Sequence, residues 1–294
     1  MQKLLKNSFT LVLSLTVAST TLAELVSVED SELANFSGQA MIGIDDYQVV
    51  QDDSSSVDFM RVTLGSTIET NTTIDNLELG TMDRAGYSAA SDIDIDNLRL
   101  GHIDPNTGEY VPFVLKNPYM EFAFAEDGNG VREAVGIRVG AGESSGSLTA
   151  NINALTGNFE IMLDHDNDPG TAPVAAQLLD STGAATNIRA TNIGVAGDCS
   201  SNCISLNNLA TVNIDDSASV SDMFLSYQNI DLKWASTLND TSAIDTNSLI
   251  KTTQGAFINL PTNLTTTTDA LVGIPGAGGN ILPTRYTDAA LGLF

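Results

Sequence analysis

A seven-residue phrase written twice constrains this chain more than anything else in it. Ile74-Asp75-Asn76-Leu77-Glu78-Leu79-Gly80 returns 21 residues later as Ile95-Asp96-Asn97-Leu98-Arg99-Leu100-Gly101, and each copy reaches an Asp three residues on, Asp83 and Asp104. The apolar rhythm changes phase inside each copy. Ile74, or Ile93 and Ile95, point one way; past Asp-Asn the inward positions become Leu77 and Leu79, or Leu98 and Leu100. A strand shows one face at every second residue, so a phase change marks a bulge or a corner. Asn and Asp tolerate the left-handed backbone such a corner needs. Two corners one short coil apart predict wrapped or stacked β-structure.

The rest of the chain keeps the same two-residue period. Met60, Val62 and Leu64 alternate with Arg61 and Thr63; Met120, Phe122 and Phe124 alternate with Glu121 and Ala123; Val135, Ile137 and Val139 alternate with Gly136 and Arg138. Short runs such as Phe159–Leu163, Ile193–Val195, Val212–Ile214, Met223–Tyr227 and Ile230–Trp234 follow, each bounded by Gly, Asn, Asp or Ser. That punctuation is how all-β chains are built. The fold class predicted is mostly β, with short strands wrapped or stacked as a solenoid or an elongated sandwich. The apolar positions are expected inward, and the acidic and hydroxyl positions on a wet face.

Residues 1–23 read as a secretory signal peptide: Lys3 and Lys6 before the apolar Phe9–Val17, then Thr21-Leu22-Ala23 at the cleavage site. Residues 24–40 form an entry segment with a short helix. Ser27 caps it, Glu29 and Asp30 sit in its first turn, and Gly38 stops it. At roughly nine residues such a helix is unstable alone, so Leu33 and Phe36 are the candidate partner-docking residues. A β domain is expected over 41–261 and a loosely structured tail over 262–294. That tail ends in Phe294, but the alternating apolar positions and aromatic girdles of an outer-membrane barrel are lacking. After the signal peptide no run approaches the roughly 18 apolar residues of a spanning helix.

Charge narrows the partners. Twelve Lys and Arg stand against 37 Asp and Glu, a formal net charge of −25. Nucleic acid and anionic lipid both demand clustered Lys and Arg, so neither suits this chain. The two cysteines, Cys199 and Cys203, suit a small structural disulfide in an oxidising compartment. Asp164, Asp166 and Asp168 alternate in a tight turn as calcium ligands do, although Pro169 stands where a calcium loop has Gly and Ala175 where it has Glu. Calcium is the one cofactor to consider. Asp92, Asp94 and Asp96 line one wet strand face. Gly142-Glu143-Ser144-Ser145-Gly146 matches the spacing of a nucleophile elbow, but a strand follows it where a helix is required, so it reads as a hairpin turn. His102 and His165 are isolated from each other and from the cysteines, which leaves zinc without a ligand spacing.

Several stretches together resemble a known family: Asp30–Ala40 after a signal peptide, Asp92–Leu98, Asn117–Ala123 and Arg132–Arg138. They are similar to a family of exported Gram-negative bacterial proteins, some of whose members are labelled pilus-assembly or Fil-type fimbrial proteins. The resemblance covers roughly residues 24–165 and implies no catalytic residue. The expectation is a non-catalytic exported surface or fimbria-associated protein, in the periplasm, on the outer membrane or outside the cell. Its partners would be other surface or fimbrial proteins, or further copies of itself. A β-wrap binding a lipid or other apolar ligand is the alternative, and a hydrolase using Asp or Glu the third.

Overall fold

The computed structural model describes residues 42–267, apart from 82, 88–89, 105, 127–128, 165–172, 198–202, 209–210, 215–218, 238–243 and 263–264. The described chain opens with β1 (Ile42–Val50), β2 (Ser56–Leu64) and β3 (Thr67–Thr70). The repeat forms β4 (Thr72–Leu79) and β5 (Ile93–Leu100), followed by the small hairpin of β6 (His102–Ile103) and β7 (Tyr110–Val111). Two long strands come next, β8 (Phe113–Glu126, 14 residues) and β9 (Arg132–Leu155, 24 residues). Short ones follow: β10 (Gly157–Phe159), β11 (Met162–Asp164), β12 (Val174–Ala175), β13 (Gln177–Leu179), β14 (Asn192–Gly194), β15 (Cys203–Ser205) and β16 (Thr211–Ile214). β17 (Val220–Gln228), β18 (Leu232–Ala235), β19 (Leu249–Thr252), β20 (Gly255–Leu260) and β21 (Thr265–Thr267) complete it. The chain is mostly β, as its period-two patterning requires, and no α-helix occurs among the described residues. The short strands expected throughout give way at β8 and β9 to much longer ones.

β9 is the spine. Its first half pairs with β8 on one edge and β17 on the other, within the path β1-β2-β8-β9-β17-β20-β10. Beyond Gly146 its partners change to β5 and β16. The Gly142–Gly146 stretch therefore lies within a strand and is not a hairpin turn. The bend it supplies has an identifiable cause. Asn117 (φ 50°) and Asp222 (φ 65°) are both left-handed, and both ladders skip one residue opposite Gly142. The kink runs across three strands at one level, and glycine in the middle strand gives it room.

The two copies of the repeat pair with each other. Ile74 faces Leu98, Asn76 faces Asp96 and Leu77 faces Ile95, while the ladder skips Asp75 and Asn97. Asn97 takes the left-handed backbone (φ 52°), and the β5–β9 register shifts between Asp96 and Arg99. The first copy shows no left-handed residue at its Asp-Asn pair. It is an edge strand with a single neighbour, so one bulge in the second copy serves both. Asn76 Nδ2 donates to Asp96 Oδ1 at 3.0 Å, and Asn153 Nδ2 to Asp96 Oδ2 at 2.9 Å. These amide donors hold the Asp96 carboxyl below its ordinary pKa.

The largest core gathers Ile93, Ile95, Phe113, Leu148, Ile152 and Leu155 with residues of the small sheets, such as Leu163, Leu178 and Ile193. A second core lies on the inner face of the main sheet. There the antiparallel β18–β19 pair sets Leu232, Trp234 and Ala235 against Tyr47, Phe59, Ala123 and Val135. Gly136 leaves the space: a Cβ there would lie 2.7 Å from Leu232 Cδ1 and 3.2 Å from Trp234 Cζ2.

Candidate interaction face

The inner face of the main sheet carries a row of charge that the alternation pattern assigns to solvent. Asp45, Arg61, Glu121, Arg138 and Ser226 are directly opposite one another on β1, β2, β8, β9 and β17. Glu121 and Arg138 are 0% exposed and Arg61 5%. Arg61 Nε donates to Glu121 Oε1 at 3.1 Å, Arg138 Nε donates to Oε2, and Tyr47 adds its hydroxyl to Oε1. Both arginines also donate to the Ala235 carbonyl, at 3.2 and 2.6 Å. Arg138 lies 5.0 Å from the ring centres of Phe224 and Trp234 and 5.2 Å from that of Tyr119, so aromatic faces take the rest of its charge. Burial works against the guanidinium, but Tyr119, Glu121 and Tyr47 outweigh it and raise the Arg138 pKa. Burial likewise pushes the Tyr119 phenol up to about 12 and Tyr47 higher still. Both Glu121 oxygens are thus engaged, and the side chain has no solvent contact.

That row decides what the other face must be. Successive side chains point to opposite faces, so placing Arg61, Glu121 and Arg138 inside turns their apolar neighbours out. Ile44, Val62, Met120, Val139, Leu225 and Ile258 stand opposite one another across six strands. A second row runs Asp46, Met60, Phe122, Ile137, Tyr227 and Ala256. Ile44 is 65% exposed, Tyr227 52%, Val139 49% and Met120 42%. The expectation that Met120, Phe122 and Phe124 face the core while Glu121 faces water is thus inverted. The end of β4 overhangs the far side of this face. There Leu79 and Gly80 with Ile137, Val139, Leu225, Tyr227 and Ala256 enclose an apolar groove of about 350 Å³.

The overhang is fastened by a second buried charge. Asp92, expected on a wet face with Asp94 and Asp96, is 0% exposed. Its Oδ1 accepts from Arg84 Nε at 2.7 Å and Arg189 Nε at 3.0 Å, and its Oδ2 from the Ala256 amide at 3.1 Å. Arg189 also donates to the Gly80 carbonyl at 3.2 Å. Period two shows that Asp92 shares a side with Asp94, but it cannot show that Arg189, 97 positions away, covers that side. A larger cleft of about 640 Å³ beside Gln51 and Gln254 is polar, with Lys233 and Lys251 both paired to Asp52 at 3.1 and 3.0 Å.

The residues singled out from sequence fall elsewhere. Leu33, Phe36, Asp166, Asp168, His165 and Cys199 lie outside the described residues. Asp164 closes β11 opposite Thr267, which places a strand, β21, inside the stretch expected to be loosely structured. Cys203 opens β15, half-buried. Among the described residues no group of three His, Cys, Asp or Glu side chains is placed to hold a metal. No described helix is long and apolar enough to cross a membrane. His102 Nδ1 lies 2.8 Å from Ser147 Oγ, but Ser147 is only 2% exposed, so the contact ties β6 to β9 and presents no nucleophile. The charge row had one sequence signal: Arg61, Glu121 and Arg138 are each a single charge between large apolar neighbours in mid-strand. No protein-family model, curated protein or solved structure matches the chain with significance.

Proposed function

We propose that this is a non-catalytic, exported interaction protein, surface- or fimbria-associated, working through the apolar face of its main sheet. The observation that carries this reading is the six-strand apolar row on the face opposite the buried Arg61–Glu121–Arg138 row, exposed at Ile44, Met120 and Val139 and half-buried at Val62, Leu225 and Ile258, the last two against the larger core. Contiguous apolar patches of this kind mark interaction sites. The signal-peptide pattern and the resemblance of residues 24–165 to exported, fimbria-labelled proteins support the location, and other surface proteins are the partners. Ile44→Lys with Val139→Lys tests it. Both positions are exposed, so stability should move by no more than about 1 kcal/mol in total. Cross-linking of the tagged chain to its neighbours on cells should be lost. Unchanged cross-linking by the folded double variant would sink the proposal.

The groove under Leu79 favours a second reading, a binding module for a lipid or other apolar ligand. Its volume lies at the low end of the ~300–1,000 Å³ span of small-molecule sites.

A further inference from the structure

We propose that the segment docking on this face is a basic amphipathic one, with an apolar anchor in the Leu79–Tyr227 groove and Lys or Arg side chains over Asp46. The inference rests on reading the sheet face as an interaction surface, and it names the chemistry of the occupant. Asp46 ends the second apolar row, opposite Met60; Asp58 stands opposite Phe124 on the same face. Asp58 is already engaged: Arg132, over the Phe124 ring at 4.3 Å, lies 3.8 Å from one of its oxygens, and Gln48 Nε2 donates to the other at 2.8 Å. Asp46 thus keeps a negative rim at the end of the face away from the groove.

From Asp46 to Tyr227 the register crosses four strand intervals, through Met60, Phe122 and Ile137. At ~4.8 Å per interval that is ~19 Å. A helix of about 13 residues at 1.5 Å each spans it, with apolar residues on one side and cations at one end. The groove takes the buried anchor that such interfaces centre on, and the acidic rim steers and orients the segment. Charge argues against the other occupants. A second copy brings another −25, and an anionic membrane repels the same rim.

The test uses the full chain, two synthetic 14-residue amphipathic peptides, Leu/Lys and Leu/Glu, and the neutral solvatochromic dye Nile red. Wild type should bind the Leu/Lys peptide at least tenfold tighter than Leu/Glu in low salt. Asp46→Asn should cut that preference at least threefold. Glu109→Gln, which removes the same net charge off the face, should leave it intact. Ile44→Lys with Val139→Lys should abolish binding. Equal losses from both charge variants would reduce the effect to net charge and overturn the proposal. Nile red bound at the face but displaced equally by both peptides would keep the interaction surface and overturn the basic partner. Sedimentation of a dimer that Val139→Lys dissociates would name a second copy instead. Binding of neither dye nor peptide would overturn the surface reading along with the proposal.

Discussion

Replacing Glu121 by Gln isolates what holds the main sheet in register. The substitution keeps the shape of the side chain and removes the charge that faces Arg61 and Arg138, whose side chains are 6% and 0% exposed. Removing one partner of a buried ion pair costs about 3–5 kcal/mol, because the remaining charge stays out of water without compensation. Two features of the site limit the loss. The Ala235 carbonyl still accepts from both guanidiniums, and the Phe224, Trp234 and Tyr119 rings still face Arg138. One feature enlarges it: two cations lose the same carboxylate. A loss of about 4 kcal/mol follows, or roughly 8–16 °C in melting temperature at about 2–4 °C per kcal/mol for a body of this size. Urea unfolding can be read from the chain's one tryptophan, Trp234, which is 0% exposed and touches the site. If Glu121→Gln unfolds within about 1 kcal/mol of wild type, the carboxylate does not neutralise the arginines and the register argument fails.

Three other outcomes can be checked. Asn97 is left-handed in the β5 bulge and donates to Asn151 Oδ1 at 3.1 Å. Asn97→Gly should unfold within about 0.5 kcal/mol of wild type, while Asn97→Val should lose about 2 kcal/mol, since a β-branched residue resists that backbone; equal stabilities would remove the bulge from the explanation. The Tyr119 hydroxyl has no hydrogen-bond partner among the described residues, so Tyr119→Phe should stabilise the protein by about 1 kcal/mol in urea titrations. The same phenol gives a pH signature. Below its ordinary value of 10.0 the folded and unfolded chains both hold the proton; from there to about 12 only the unfolded chain releases it. Stability should therefore fall with rising pH across that window, by about 1.4 kcal/mol per pH unit from this group, and Tyr119→Phe should flatten the decline.

Strand-forming segments were legible in the sequence because period two and Gly, Asn and Asp punctuation are local. The left-handed corner was legible too, at Asn97. Which face of β2, β8 and β17 is buried was not, although Ile93 and Ile95 on β5 and Leu148 and Ile152 on β9 face inward as their alternation predicts. Met120-Glu121-Phe122-Ala123-Phe124 gives the apolar face to Met120, Phe122 and Phe124 on any hydrophobicity scale, yet Glu121 and Ala123 are the buried pair. The inversion depends on Arg61 and Arg138 meeting Glu121 across two ladders, and no local pattern reports a meeting of residues 60 and 17 positions apart. Asp92 repeats the lesson with Arg189. The outward apolar face was invisible for the same reason, since it is the complement of the charge row.

Buried charge of this kind is a poor source of stability and a good source of discrimination. Replacing Arg61, Glu121 and Arg138 together by Met, Leu and Met would remove the desolvation cost, and such swaps are often neutral or stabilising by about 1–4 kcal/mol. In this sheet they would also make both faces apolar across β2, β8 and β9. A slip of one residue exchanges the two faces of a strand, and only the mismatch between a charged row and an apolar row penalises that slip. The triple variant should keep or exceed wild-type resistance to urea while losing a unique register. Broadened amide resonances in β2 and β8, or aggregation at concentrations the wild type tolerates, would report it. A triple variant with sharp, wild-type-like spectra would show that the loops and the kink at Gly142 set the register by themselves. The outward apolar face would then need a cause other than the charge row beneath it.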